Sequence, residues 1–408
     1  MRVLMLDQTG QMGGAEFAML ELCERAQFSW QVILFGDGPF REKLAALGGR
    51  VDIVSSAAVD SVKKDDQSSS VFRAVSGVVK MITRVAKVAK SCDIIYANTQ
   101  KAVVIGAFAG MLARRPVVWY LHDIMSDDHF GKSQLLVIKL VARYFLSGVV
   151  CNSEASRDAL AKLTGRNPAQ WPVVYNGIPA EPFDRVANEP IALLRERFQL
   201  PRDAFLVGCF SRLAPWKGQH VLLEAIARDV DTHAVLVGAP FFGSEDYAQE
   251  LRLQVKRLGI EGRVHFMGFQ ADIPCMMRAM DVIAHTSTAP EPFGRVIVEG
   301  MLAGKPVIGS KAGGVTEIID DGHSGLLVQP DDPVALSKAI TTLRNNPALA
   351  HQMAVVGQAN ARVSFTPAAH CRKMTDVLLH YMEKSRHDTH PAHTARSGET
   401  SETDGSEH

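Results

Sequence analysis

Short β-branched runs separated by helical patterns recur in two series along this chain, and that alternation is the strongest constraint on its fold. The first series is VLMLD at the start, QVILF from Gln31, DIIYAN from Asp93, PVVWYLHD from Pro116, GVVCNS from Gly148 and VVYNG from Val173. Short apolar runs without polar alternation suit parallel strands buried on both faces. Between them lie patterns such as AEFAMLELCERA and LLVIKLVARYFL, the crossover helices that a parallel sheet requires.

A polar stretch, IPAEPFDRVANEP from Ile178, interrupts the alternation and reads as a linker. A second series follows it: FLVGCFSR from Phe205, HAVLVGAP from His233, RVHFMGF from Arg263, DVIAHTS from Asp281, PVIGSKAGG from Pro306 and GLLVQP from Gly325. The 408 residues are too many for one ordinary core, so we expect an α/β protein of two doubly wound, Rossmann-like domains, 1–183 and 184–366. Helical residues continue to about 384, broken at Pro347 and at Ser364 to Pro367. From 387 to 408 there is no large aliphatic residue to bury, and a disordered tail is expected.

Charge excludes some functions. Forty-four basic residues balance forty-four acidic ones, so no global field holds nucleic acid, and an anion site must be local. Six single cysteines, without a CxxC pair or clustered histidines, argue for reduced thiols in the cytoplasm and against a metal site. Asp7 interrupts the first apolar run too early for a secretory signal. The uncharged stretch Ala102 to Ala113 is far short of the roughly 20 residues of a membrane span.

Three strand ends carry the chemistry. After the strand ending near Thr286, Glu291 leads into EPFGRVIVE, whose Pro292 suits the first position of a helix. The amides of Phe293, Gly294 and Arg295 would then be donors for a phosphate at a helix start. Glu299 would lie about 12 Å further along the same helix. A second glycine turn, Gly313-Gly314, follows the next strand, and SRLAPWKG places Arg212 and Lys217 in one loop where two cations can share a diphosphate. Taken singly, each of these features has a plain structural reading as a cap, a turn or a solvated charge. In the first half, Gly13-Gly14-Ala15-Glu16 follows the first strand without the spacing of a dinucleotide fingerprint, and His122 ends the PVVWYLHD strand.

These residues resemble the retaining GT-B glycosyltransferases of glycosyltransferase family 4, over nearly the whole chain to about residue 385. The EPFGRVIVE element is the most specific match. The resemblance implies two domains facing a central cleft, with a C-terminal helix at about 367–386 packed back on the first. It implies that Arg212 and Lys217 neutralise the donor diphosphate, that Glu299 binds the ribose, and that Glu291 contacts the donor sugar. Phe293 and Gly294 would supply backbone donors beside Arg295, Gly13 and Gly14 would approach the donor phosphates, and His122 would face the donor sugar and the acceptor. Asn152-Ser153-Glu154 and Tyr175-Asn176-Gly177-Ile178 would line the cleft. Pro179, Ser211 and Gly300 stand where relatives often carry Asp, Gly and Ala.

The implied reaction is retaining transfer from a nucleotide diphosphate sugar to a glycan or lipid-linked acceptor, in polysaccharide or glycoconjugate synthesis. It needs no cofactor and no metal, since the single DxD string, Asp229-Val230-Asp231, precedes its strand instead of following it. The alternatives are a sugar-nucleotide epimerase of similar shape and a silent sugar-binding protein. A further expectation is a peripheral place on the inner face of the membrane: Arg73, Lys80, Arg84 and Lys87 form a basic stripe on a segment without acidic residues, Ser68 to Lys90.

Overall fold

The computed structural model describes residues 1–55, 69–240 and 245–389, the side chains of 69–74 and 387–389 excepted. The first series of runs forms β1 (Arg2–Asp7), β2 (Ser29–Leu34), β3 (Arg50–Ile53), β4 (Ile94–Ala97), β5 (Val117–Leu121) and β6 (Gly148–Cys151), paired in the order β3-β2-β1-β4-β5-β6. The second forms β7 (Phe205–Phe210), β8 (Thr232–Val237), β9 (Val264–Gly268), β10 (Val282–His285), β11 (Val307–Ser310) and β12 (Leu326–Val328), in the order β12-β11-β10-β7-β8-β9. Every pairing is parallel. The two topologies are the same, and in each the order reverses beside the first strand, between β1 and β4 and between β7 and β10. The crevice at such a reversal is where doubly wound sheets bind ligands.

The inner strands are apolar over most of their length because both faces are covered. Leu4 and Leu6 of β1 enter one core with Ile95 and Trp119, while Val3 and Met5 enter another with Leu22, Tyr96 and Tyr120. The C-terminal helix, Pro367–Thr389, closes that second core. Its Cys371, Met374, Leu378 and Tyr381 are buried against residues of the first sheet's layer. Full burial of one such aliphatic side chain stabilises by roughly 2 kcal/mol, enough for several together to hold the helix across the domain boundary. Where the chain crosses back, the Ile178 amide donates to Phe365 O at 2.9 Å.

Two expectations change here. The segment from Ile178 to Pro190 holds a helix, Glu181–Val186, because Ile178 and Phe183 find an apolar partner surface in Met276, Ile297 and Phe365. VVYNG forms no strand: Val173 makes one parallel bridge with Cys151, and the chain then leaves the sheet. Of the tail expected over 387–408, residues 387–389 belong to the last helix, and the remainder lies outside the described residues. Asp229 sits at the far edge of the second sheet, before β8, and there it pairs with Arg344.

Candidate active site in the cleft

On the second domain, Glu291 is the centre of a buried charge cluster. Both of its carboxylate oxygens accept from Lys217 Nζ at 2.8 Å. Ser287 Oγ donates to Oε2 at 3.0 Å, and His285 Nε2 lies 3.3 Å from the same oxygen. Burial alone would push this carboxyl up, but the Lys217 charge and the His285 contact outweigh it and hold Glu291 far below the usual carboxylate range. The ammonium also stands 4.0 Å over the Trp216 ring. Lys217 is positioned by backbone: Thr286 Oγ1 donates to Lys217 O at 2.9 Å, and the Thr288 amide donates to Trp216 O at 2.8 Å. Arg212 follows β7 and is exposed, and its own carbonyl accepts from Gln219 Nε2. The two cations therefore do not form a bare pair, because Lys217 is already matched by a carboxylate.

The helix expected from Pro292 begins three residues later, as Arg295–Leu302. The cause is pairing in the preceding segment. Glu291 bridges to Gly313, and the Gly314 amide donates to Glu291 O at 2.8 Å, which draws 291–293 alongside the second glycine turn. A Cβ on Gly313 would stand 2.2 Å from Glu291 O, so the approach needs glycine. Gly294 then turns into the helix at φ 111°, a backbone conformation that L side chains rarely adopt. Glu291 is consequently off the helix, and the expected 12 Å spacing to Glu299 along one helix does not apply. The first bond of the new helix runs from the Ile297 amide to Gly294 O, which leaves Gly294 and Arg295 at its start. The Phe293 ring is buried against Tyr175 and Phe365, which leaves only its backbone to serve a site in the cleft. Glu299 accepts from Arg295 Nη2 at 3.3 Å.

The first domain presents a different surface. Asp7 ends β1, Asn98 follows β4, and His122 follows β5. Asn98 Nδ2 donates to Asp7 Oδ2 at 2.7 Å and to Ala15 O at 3.1 Å, while its Oδ1 accepts from Tyr96 OH at 3.0 Å. His122 Nε2 is 3.0 Å from that same oxygen, and its ring meets Tyr120 edge-on with centroids 4.1 Å apart. Burial pushes Asp7 up to about 6, despite hydrogen bonds from Asn98 and from the amides of Thr9 and Gln8. Burial, followed by the charge of Asp7, raises Glu16 to about 7. His122 is pushed down to about 3 by burial, with His370 and Arg295 adding to it, so it is neutral across the physiological range. Gly13 and Gly14 open the helix Gly14–Arg25, and a Cβ on Gly14 would lie 3.5 Å from Arg295 Cδ.

The domains meet across the cleft. The Arg295 guanidinium lies 5.2 Å from the centre of the Phe17 ring. His129 Nε2 is 3.1 Å from Pro290 O, and its ring is 5.9 Å from that of Trp216. Glu317 reaches from beyond the second glycine turn to the start of the first-domain helix Glu154–Thr164, where the amides of Glu154 and Ala155 donate to its carboxylate at 2.8 and 2.9 Å. Tyr175 also hydrogen-bonds this carboxylate. An acceptor at exposed helix-start amides is a favourable match, made here between domains. Sequence reasoning singled out none of Asn98, His285, Ser287, His370 or Glu317 for a role; the signal that existed was a polar residue ending an apolar strand run, as at Asp7, Asn98 and His285.

Residues 12–182 match the family model Glycosyltransferase Family 4, and residues 191–359 match Glycosyl transferases group 1. Anabaena HepE, solved with UDP-glucose, is 39% identical to this chain with a TM-score of 0.82, over 93% of this chain and 99% of that one. The chain belongs to glycosyltransferase family 4.

Among curated members of this glycosyltransferase group, the D-inositol 3-phosphate glycosyltransferase of Corynebacterium kroppenstedtii is 28% identical over 59% of this chain and 54% of its own. The Rhizobium meliloti lipopolysaccharide core biosynthesis glycosyltransferase LpsD is 33% identical over 50% of this chain and 56% of its own. The matches to these two relatives thus span about half their length. The lipopolysaccharide glycosyltransferase WaaG, at 14% identity and a TM-score of 0.70, shares the GT-B fold. Two Rossmann-like domains across a cleft are the architecture of this glycosyltransferase.

Proposed function

We propose that this family 4 glycosyltransferase transfers a hexose from a UDP-sugar to a glycan or lipid-linked acceptor with retention at the anomeric carbon. The observation that carries the reading is the buried Lys217–Glu291 pair beside the Gly294 helix start, at the strand ends where the second sheet's order reverses. HepE, a relative solved with UDP-glucose, supports the choice of donor. In this reading the bond from the anomeric carbon to the departing phosphate oxygen breaks while the acceptor oxygen attacks on the same face. The acceptor's proton passes to that phosphate oxygen. Lys217 keeps Glu291 ionised for the sugar hydroxyls and offers a remaining N–H to the phosphate; Arg212 and the amides of Gly294 and Arg295 add to the stabilisation. Each such donor is worth roughly 3 kcal/mol of barrier. Gly13 and Gly14 admit the phosphates close to the backbone, Glu299 takes the ribose, and no metal takes part.

The test is a panel of UDP-, GDP- and ADP-sugars, each incubated with and without acceptor glycan. Turnover that requires acceptor and releases UDP is expected. Conversion of the donor alone would identify an epimerase, and an untouched donor a silent binder.

A membrane-facing acceptor is favoured by one surface of the first domain. No described helix is long and apolar enough to cross a membrane. On the helix Ser69–Ala89, Lys80, Arg84 and Lys87 are exposed while Met81 and Val85 pack inward; the Arg73 side chain lies outside those described. The helices Gln100–Ala113 and Lys132–Tyr144 also lack acidic residues and expose Met111, Leu112, Leu136, Leu140 and Tyr144. Each cation near an anionic surface contributes on the order of 1 kcal/mol, and shallow apolar contact adds to it. Sedimentation with vesicles should rise with anionic lipid and fall when Arg73, Lys80, Arg84 and Lys87 become glutamine; binding indifferent to both would refute this docking.

A further inference from the structure

We propose that Asn98 is a positioning residue that fixes His122 as the neutral Nε2–H tautomer, so that His122 Nδ1 accepts a hydrogen bond from a sugar hydroxyl in the cleft. The inference rests on the reading of His122 as a cleft residue. It follows from how each atom of the Asn98 amide is committed. Its nitrogen faces two acceptors, Asp7 Oδ2 at 2.7 Å and Ala15 O at 3.1 Å. Turning the amide over would set an oxygen against a carboxylate and a carbonyl with no proton between them, so the orientation is fixed.

The Asn98 oxygen therefore faces Tyr96 and His122. Tyr96 OH is fully buried, where burial pushes its pKa far up, and it remains a neutral donor. An amide oxygen has two lone pairs, and the second meets His122 Nε2 at 3.0 Å. Two acceptors at that distance repel, so Nε2 carries the proton. With the imidazole neutral, Nδ1 keeps its lone pair, and no protein donor to it is found among the described residues. The ring cannot swing away, because Tyr120 packs against it at 4.1 Å and Tyr120 OH is itself tied to Val174 O at 2.7 Å and Asn176 Oδ1 at 2.9 Å. A hydroxyl suits such an atom, whereas a carboxylate would meet a lone pair. The chain of contacts runs from the end of β1 through the residue after β4 to the residue after β5, adjacent strands of one sheet. Register sets Asp7 level with Asn98, and His122 lies two residues past the β5 position level with Asn98, on the same face as Tyr120.

The test is nitrogen-15 NMR of the histidine-labelled full chain, with the His122 signals assigned by their loss in His122→Phe. The wild type should show the Nε2–H signature, unchanged between pH 8 and pH 6. Asn98→Leu, which keeps size and removes the acceptor, should lose that signature and lower kcat at least tenfold while donor KM changes less than threefold. Asn98→Leu should also keep the far-UV circular dichroism spectrum of the wild type, which guards against a folding defect in that variant. An Nδ1–H signature in the wild type, or an unchanged tautomer and kcat in Asn98→Leu, would overturn the proposal. Full activity in His122→Phe would count against the cleft role of His122, and the tautomer measurement would still decide what Asn98 does.

Discussion

The two sheets share one topology, yet the strand ends they turn toward each other are chemically opposite. In the second domain Glu291 is ionised and held by Lys217, a matched pair under strong electrostatic control. In the first, burial favours the neutral forms of Asp7, Glu16 and His122. A fold repeated within a chain fixes where a site can lie but not its charge. That is set by which side chains end the strands. The contrast suits a transfer in which charge develops on the departing phosphate and the attacking hydroxyl stays uncharged.

The largest expected effect comes from breaking the ion pair. Lys217→Met should lower kcat/KM at least tenfold and reduce unfolding free energy by about 3 kcal/mol in urea titrations, since it strands a buried carboxylate. Adding Glu291→Leu should return much of the stability and none of the activity; recovery of both would remove the charged side of the comparison. Because the native Glu291 carboxyl lies below its ordinary value, the pair's stabilisation is present above about pH 4.5 and is lost as pH falls further.

The neutral side is tested with the opposite sign. Native Glu16 takes up its proton near pH 7 and an unfolded one near 4.5. Ionised Glu16 therefore costs stability above that window, and the cost disappears as pH falls through it. Glu16→Gln should stabilise the protein by about 2 kcal/mol at pH 8, with the gain fading by pH 5. A gain independent of pH would mean that the carboxyl is not held neutral.

Smaller effects are expected between the domains and from metals. Glu317→Ala removes the acceptor for two first-domain amides and should cost about 1 kcal/mol while widening the particle in small-angle scattering. An unchanged scattering profile would show that the domains are held together elsewhere. Excess chelator should leave the initial rate within about twofold, under half a kcal/mol of barrier. Abolition by chelator, with rescue by magnesium or manganese, would mean that Lys217 and Arg212 are not the groups that neutralise the phosphates.

Much of this was legible along the chain because the physics is local. Alternating apolar runs and helical patterns give the two sheets, and EPFGRVIVE gives the family. Pro292 is a sound local signal for the start of its helix, but pairing of Glu291 with Gly313, twenty-two positions downstream, moves that start on by three residues. The short helix inside the linker has the same origin: Phe183 finds its partners in the second domain.

Sequence by itself determined the α/β class, the doubling of the sheet and the residue types at each strand end, since periodicity and turn chemistry operate over a few neighbours. Tertiary structure decided which of those residues meet. Lys217 and Glu291 are 74 positions apart, Asn98 and Asp7 91, and Glu317 and Glu154 163. Protonation states at these contacts depend on burial and on the charge opposite, and both exist only once the chain has folded.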